Sequence, residues 1–327
     1  GVTKFSQLGI FSNLNQLMDI SMAPDYATIC GMTKVEIERD FQPELAALAT
    51  MNKLTYEQTV NEMTKRYDGY HFSEFLSDGI YNPFSVLNAL VQKRFSSYWF
   101  ATGTPTMLVD TLKKTDYDLR QLDGIEVPAA ALIDYRADFH NPVPIIYQSG
   151  YLTIKGYDPA KDFYTLDFPN AEVKYGWLNF ITPYYTPLSE STAPFYIGKF
   201  WDELRAGDVD AFMERLHAFF EGIPYELNSK TERHYQVIFY IVFKLLGQYV
   251  DAEVRSARGR ADAVVKTTDY IYVFEFKLDG SVDEVLRQID EKGYLIPYTV
   301  DSRQLVKVGA SFDKEKRNIG EWKAIFC

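Results

Sequence analysis

Apolar residues in the first third of the chain fall at helical spacing, and residues 1–119 read as mostly helical. Thr33-Lys-Val-Glu36 has the Ser/Thr-x-x-Glu spacing of a capping box, and residues 55–67 continue with helix-forming side chains. Tyr67-Asp-Gly-Tyr70 and Tyr81-Asn-Pro-Phe84 punctuate these helices as turns. From about residue 122 the pattern changes. Pro142 and Pro144 precede the apolar run 145–154, a turn over 156–159 follows, and residues 163–168 are again apolar. That order, a short helix, a strand, a turn and a second strand, is the pattern of a winged-helix hairpin. A helix over 170–185 comes next, with Pro183 and Pro187 expected to break it.

Residues 186–194 have the composition of a linker, and the main domain boundary is expected there. Helices are predicted over 197–205, 209–221 and 231–249, the last strongly apolar. Then the period falls to two. Residues 252–256, 260–266 and 270–278 read as strands, followed by a helix over 282–292 and strands near 305–309 and 322–326. The expected organisation is a helical part over 1–120, the winged-helix pattern over 121–190 and an α/β core over 191–327, so the chain is α/β overall.

Both faces of the strand Tyr270-Ile-Tyr-Val-Phe-Glu-Phe-Lys-Leu278 are apolar, which marks it as central and covered on each side. Glu275 and Lys277 continue the face of Ile271 and Val273, about 7 Å apart along the strand. A carboxylate there costs several kcal/mol of desolvation unless a partner or a metal offsets it, roughly the penalty of an unpaired buried charge. If residues 267–270 form the hairpin loop, Asp262 falls directly across from Glu275. Two carboxylates with a lysine beside them can hold a hard cation such as Mg²⁺ or Mn²⁺. The cation would polarise a phosphodiester and acidify a bound water, while Lys277 orients that water or steadies developing charge. The plainer alternative is a Glu275–Lys277 salt bridge at a strand end, with Asp262 serving the turn.

Composition leaves room for a sizeable core: 46% of residues are hydrophobic and 24% charged, as in ordinary globular proteins. No apolar run approaches the roughly 20 residues of a bilayer span, and residues 1–10 lack a leader pattern, so no membrane partner is expected. Cys30 and Cys327 make no disulfide framework, and a cytoplasmic setting is expected. The net charge of −11 works against tight non-specific binding of nucleic acid and favours a protein partner, although Arg255, Arg258 and Arg260 gather beside the acids.

Gly259-Arg-Ala-Asp-Ala-Val-Val265, Tyr272-Val-Phe-Glu-Phe-Lys-Leu-Asp279, Arg287-Gln-Ile289 and Gly293-Tyr294 together resemble the PD-(D/E)xK nuclease domain at the C-terminus of predicted AAA-ATPase-like bacterial proteins. The resemblance covers about residues 195–327. It implies that Asp262 is the motif aspartate, Glu275 and Lys277 the Glu-x-Lys pair, and Gln288 a supporting glutamine. Glu232 would be the acid of the preceding helix, as a ligand or water-positioning group; within Ser229-Lys-Thr-Glu232 it fits a helix cap as well. Gln288 fits a solvent-facing position on its helix equally.

Segments 1–6, 11–15, 67–70, 81–85 and 98–104 are similar to the later half of the same proteins' ATPase region. No G-x(4)-G-K-[ST] loop occurs, so the chain reads as a fragment without ATPase activity, ATP being a ligand of the full-length protein only. The implied function is metal-dependent hydrolysis of nucleic acid, DNA more than RNA, coupled to an ATPase module. The alternatives are an inactive nuclease-fold binding module and a protein-interaction scaffold.

Overall fold

The computed structural model describes residues 20–75, 78–100, 108, 112, 117–133, 141–186, 188–189, 192–223, 232–249, 251–254, 261–278, 280–313 and 315–327; the side chains of 232–234 and 251–254 lie outside that description. It is a mixed α/β structure with two sheets. Two compact units divide between Trp177 and Leu178. Among the described residues no helix is long and apolar enough to cross a membrane.

The first unit opens with helices α1 (Lys34–Asp40), α2 (Gln42–Asn52), α3 (Tyr56–Tyr67) and α4 (Pro83–Gln92). Thr33 with Glu36 and Thr55 with Gln58 close full capping boxes, so each helix start has its free N–H groups satisfied by its own sequence. Asn82 caps α4, whose first residue is Pro83, where a missing N–H costs nothing. Leu45, Leu48, Met63, Tyr67, Tyr81 and Val86 form the core between them. The turn after α3 needs its glycine: Gly69 has φ +98°, and a Cβ there would lie 2.2 Å from the Pro169 carbonyl oxygen.

Next come β1 (Ile125–Pro128), α5 (Ala129–Ile133), α6 (Val143–Gln148), β2 (Thr153–Asp158) and β3 (Phe163–Asp167). The strands form an antiparallel sheet in the order β1-β3-β2. Helix α7 (Ala171–Tyr185) follows, and it corrects one expectation. Pro183 does not break it, because the ring removes a single N–H near the C-terminal end. The helix closes beyond it, with Thr186 N–H donating to the Thr182 carbonyl at 2.9 Å.

In the second unit, α8 (Ala193–Ala206), α9 (Val209–Glu221) and α10 (Glu232–Leu246) precede β4 (Asp251–Val254), β5 (Ala263–Lys266) and β6 (Tyr270–Leu278). Then come α11 (Val282–Glu291), β7 (Gln304–Asp313) and β8 (Asn318–Phe326). Helix α10 ends at Leu246, short of the residue 249 foretold, and β4 covers the described part of the strand expected over 252–256; residues 255–260 lie outside the described residues. The sheet order is β4-β5-β6-β7-β8, with β6 and β7 parallel and the other pairs antiparallel. The α11 turns between β6 and β7 supply the crossover that a parallel pair requires.

Strand β6 is central and covered on both faces, as its unbroken apolar sequence requires. Ile271 and Val273 meet Val282, Leu286 and Ile289 of α11. On the other face Phe274 packs 5.5 Å from Phe212 of α9 and 5.0 Å from Phe243 of α10, ring centre to ring centre, and Phe276 lies 4.1 Å from Phe239. These rings hold the strand rigidly between helices. Phe274 is fully buried, so Phe274→Ala should cost about 3–5 kcal/mol of the second unit's stability. Urea denaturation measures this, and a loss under about 1 kcal/mol would mean that the aromatic layer collapses onto the gap.

Candidate active site

The geometry starts from the β5–β6 hairpin. Thr267 N–H donates to the Tyr270 carbonyl at 2.8 Å, while the Thr267 hydroxyl accepts from Tyr270 N–H at 2.9 Å and from Asp269 N–H at 3.3 Å. This closed loop fixes the register through Lys266↔Ile271 to Ala263↔Phe274. One step further along the same register, Asp262 faces Glu275. The two acids are tied through each other's strands: Asp262 N–H donates to Glu275 Oε2 at 3.2 Å, and Phe276 N–H donates to Asp262 Oδ2 at 2.8 Å.

Glu275 is paired in the parallel ladder with Gly309, where a Cβ would lie 3.0 Å from Leu286. The absent side chain lets α11 approach the sheet, and Gln288 of that helix donates to Glu275 Oε1 at 2.6 Å. Gln288 is thus turned to the site, not to solvent. It also hydrogen-bonds Tyr294, whose hydroxyl pKa is raised by burial and then by the nearby Glu275 charge. Tyr294 is a member of the site that stands in the sequence only as part of the family resemblance, in Gly293-Tyr294, without a role.

Glu275 is buried, and its carboxyl is pushed up to about 8, by burial first and then by the charge of Asp262, with the Asp262 N–H opposing. Asp262 is exposed. Lys277 is also exposed, and its ammonium pairs with Glu284 Oε2 at 3.1 Å, which replaces the Glu275–Lys277 salt bridge allowed for in the sequence. Glu232 is the first residue of α10, and its side chain lies outside the described residues, as do Ser229, Lys230, Arg255, Arg258 and Arg260.

Among the described residues no group of three or more His, Cys, Asp or Glu side chains is gathered as in a full metal centre. The donor set nevertheless suits a hard cation. Asp262 and Glu275 lie across from each other on neighbouring strands, and the Asp262 charge helps raise the Glu275 pKa, an effect that a bound cation would offset.

Residues 230–322 match the PD-(D/E)XK nuclease superfamily. The chain is also 31% identical, over 328 residues, to a protein from Azotobacter chroococcum mcd 1 described as an uncharacterized protein in the vnfD 5′ region. That match covers 98% of this chain and 61% of the relative, so the chain spans under two thirds of the relative's length. No solved structure matches the chain.

The raised Glu275 pKa fixes a pH dependence. Its carboxyl, ordinarily near 4.5, holds its proton to about 8 in the folded state, so the folded protein binds more protons than the unfolded chain within that window, and stability falls as pH rises through it. Each unit of separation is worth about 1.4 kcal/mol, an upper bound here because Asp262 is exposed to solvent. In metal-free buffer Glu275→Gln should therefore match wild type near pH 4.5 and exceed it by a few kcal/mol, order of magnitude only, near pH 8. Equal denaturation midpoints for the two proteins at both pH values would contradict this.

Proposed function

We propose that the second unit hydrolyses phosphodiester bonds of nucleic acid in a reaction that depends on a divalent cation, Mg²⁺ or Mn²⁺. The observation that carries this reading is the opposition of Asp262 and Glu275, one carboxylate buried and repelled by the other, on a strand the core holds fixed. Asp262 and Glu275 are the ligands. When bound, the cation supplies charge that polarises the phosphodiester and acidifies water. Gln288 orients the Glu275 carboxylate from α11, and Tyr294 steadies Gln288. Lys277 carries an ammonium, which cannot ligate a cation and serves instead to position the attacking water or to stabilise developing negative charge.

Glu232 completes the set in this proposal, as ligand or water-positioning group. Helix α10 packs on the Phe274 and Phe276 face of β6, whereas Glu275 points to α11. DNA is favoured over RNA, and coupling to an ATPase module of a longer protein rests on the resemblance of residues 1–120.

A second reading, a protein-docking role for residues 121–190, is favoured by one observation. The order β1-α5-α6-β2-β3 with sheet order β1-β3-β2 suits a winged helix, yet α6, Val-Pro-Ile-Ile-Tyr-Gln, carries no basic side chain to meet phosphates.

Cleavage of single- and double-stranded DNA and RNA, with Mg²⁺ and with chelator, tests the main reading. Asp262→Ala and Glu275→Ala should lose both cation binding, read by calorimetry, and cleavage. Lys277→Ala should keep the cation and lose cleavage by roughly 10²-fold or more, the usual size of a lost transition-state contact. Cleavage that survives all three substitutions would refute the assignment.

A further inference from the structure

The side chain of Lys277 is given to a carboxylate other than that of Glu275. Lys277 follows Glu275 by two residues and so leaves the same face of β6. Its ammonium is nevertheless given to Glu284, on the first turn of α11. Two features enforce this path. A Cβ on Gly280 would lie 2.5 Å from Lys277 Cδ, 2.9 Å from Cγ and 3.0 Å from Cε, so the lysine stem runs directly over that glycine. Glu284 is itself anchored, because its N–H donates to Ser281 Oγ at 3.3 Å and its carboxylate is held by Lys277 and then by the Ser281 backbone N–H.

Elsewhere in the chain the same capping position serves the helix alone: Glu36 spends its carboxylate on Thr33, with bonds of 2.8 Å to its N–H and its hydroxyl. Glu284 differs in reaching out to a lysine. As a stability device the pair is modest, since both side chains are about half exposed, at 44% and 47%, and solvent weakens such pairs.

We propose that Glu284 and Gly280 are positioning residues that park the Lys277 ammonium off Glu275, so that the lysine does not compete with the cation for the Asp262–Glu275 pair. This rests on the metal-site reading above. With the park removed, the nearest carboxylate along this face among the described residues is Glu275, and an ammonium bound there would have to be displaced before a cation entered.

Calorimetric titration of the metal-free protein with Mn²⁺ tests the idea without any cleavage assay. Glu284→Gln and Gly280→Ala should each weaken Mn²⁺ binding roughly three- to fivefold, the range an exposed ion pair commands. Adding Lys277→Met to either should restore wild-type affinity. Two different substitutions guard against a local folding defect, and rescue by a third residue separates competition from ligation. If the single variants bind Mn²⁺ as wild type does, the parking role is wrong while the metal site stands. If Lys277→Met fails to rescue Glu284→Gln, Glu284 is a ligand and the proposal falls. If wild type itself binds no Mn²⁺, the metal-site reading fails and takes this one with it.

Discussion

A buried carboxyl set opposite a second carboxylate is costly to ionise, and Glu275 is such a group on the central strand of a sheet. The second unit is organised around tolerating that cost. Aromatic side chains of α9 and α10 fix one face of β6, and α11 fixes the other, so neither acid can relax apart by moving its strand. The backbone gives partial relief through the Asp262 and Phe276 N–H groups, and Gln288 adds one further donor. Neutral donors do not cancel like charge. A proton on Glu275 relieves the repulsion up to about pH 8, and a cation bound at the two acids would relieve it in the proton's place.

The same constraint explains the small residues nearby. Gly309 lets α11 come close enough for Gln288 to reach Glu275, and Gly280 gives the Lys277 stem a path to Glu284. A methyl group at Gly309 would press on Leu286 and Val285 of α11, and one at Gly280 on the Lys277 stem, with neither acid among the nearest contacts. The chemistry of the site therefore depends on positions that carry no chemistry themselves.

Much of this was legible in the sequence because it follows from period and spacing. The near-continuous apolar run in 270–278, on both faces of the strand, marks a doubly covered strand, and the loop length sets Asp262 against Glu275. The superfamily match over 230–322 falls on the same segment. Three features were not legible. Glu284 looks like an ordinary helix-capping acid, and only the crossing of the lysine stem over Gly280 shows where its carboxylate goes. Tyr294 belongs to the resemblance but has no role there, and only the bond of its hydroxyl to Gln288 places it at the site. Pro183 reads as a helix breaker, but a proline one turn from a helix end removes too little hydrogen bonding to stop it. In each case long-range packing decides among local readings that spacing leaves equal.

The account stands or falls on whether a divalent cation sits between the two acids. Anomalous diffraction from crystals grown with Mn²⁺ addresses that directly. The account predicts a manganese peak about 2.0–2.6 Å from carboxylate oxygens of both Asp262 and Glu275, the range of hard-cation ligation. A peak that involves neither acid, or density that shows Glu275 still bound only to the Asp262 N–H and Gln288 at saturating Mn²⁺, would contradict it.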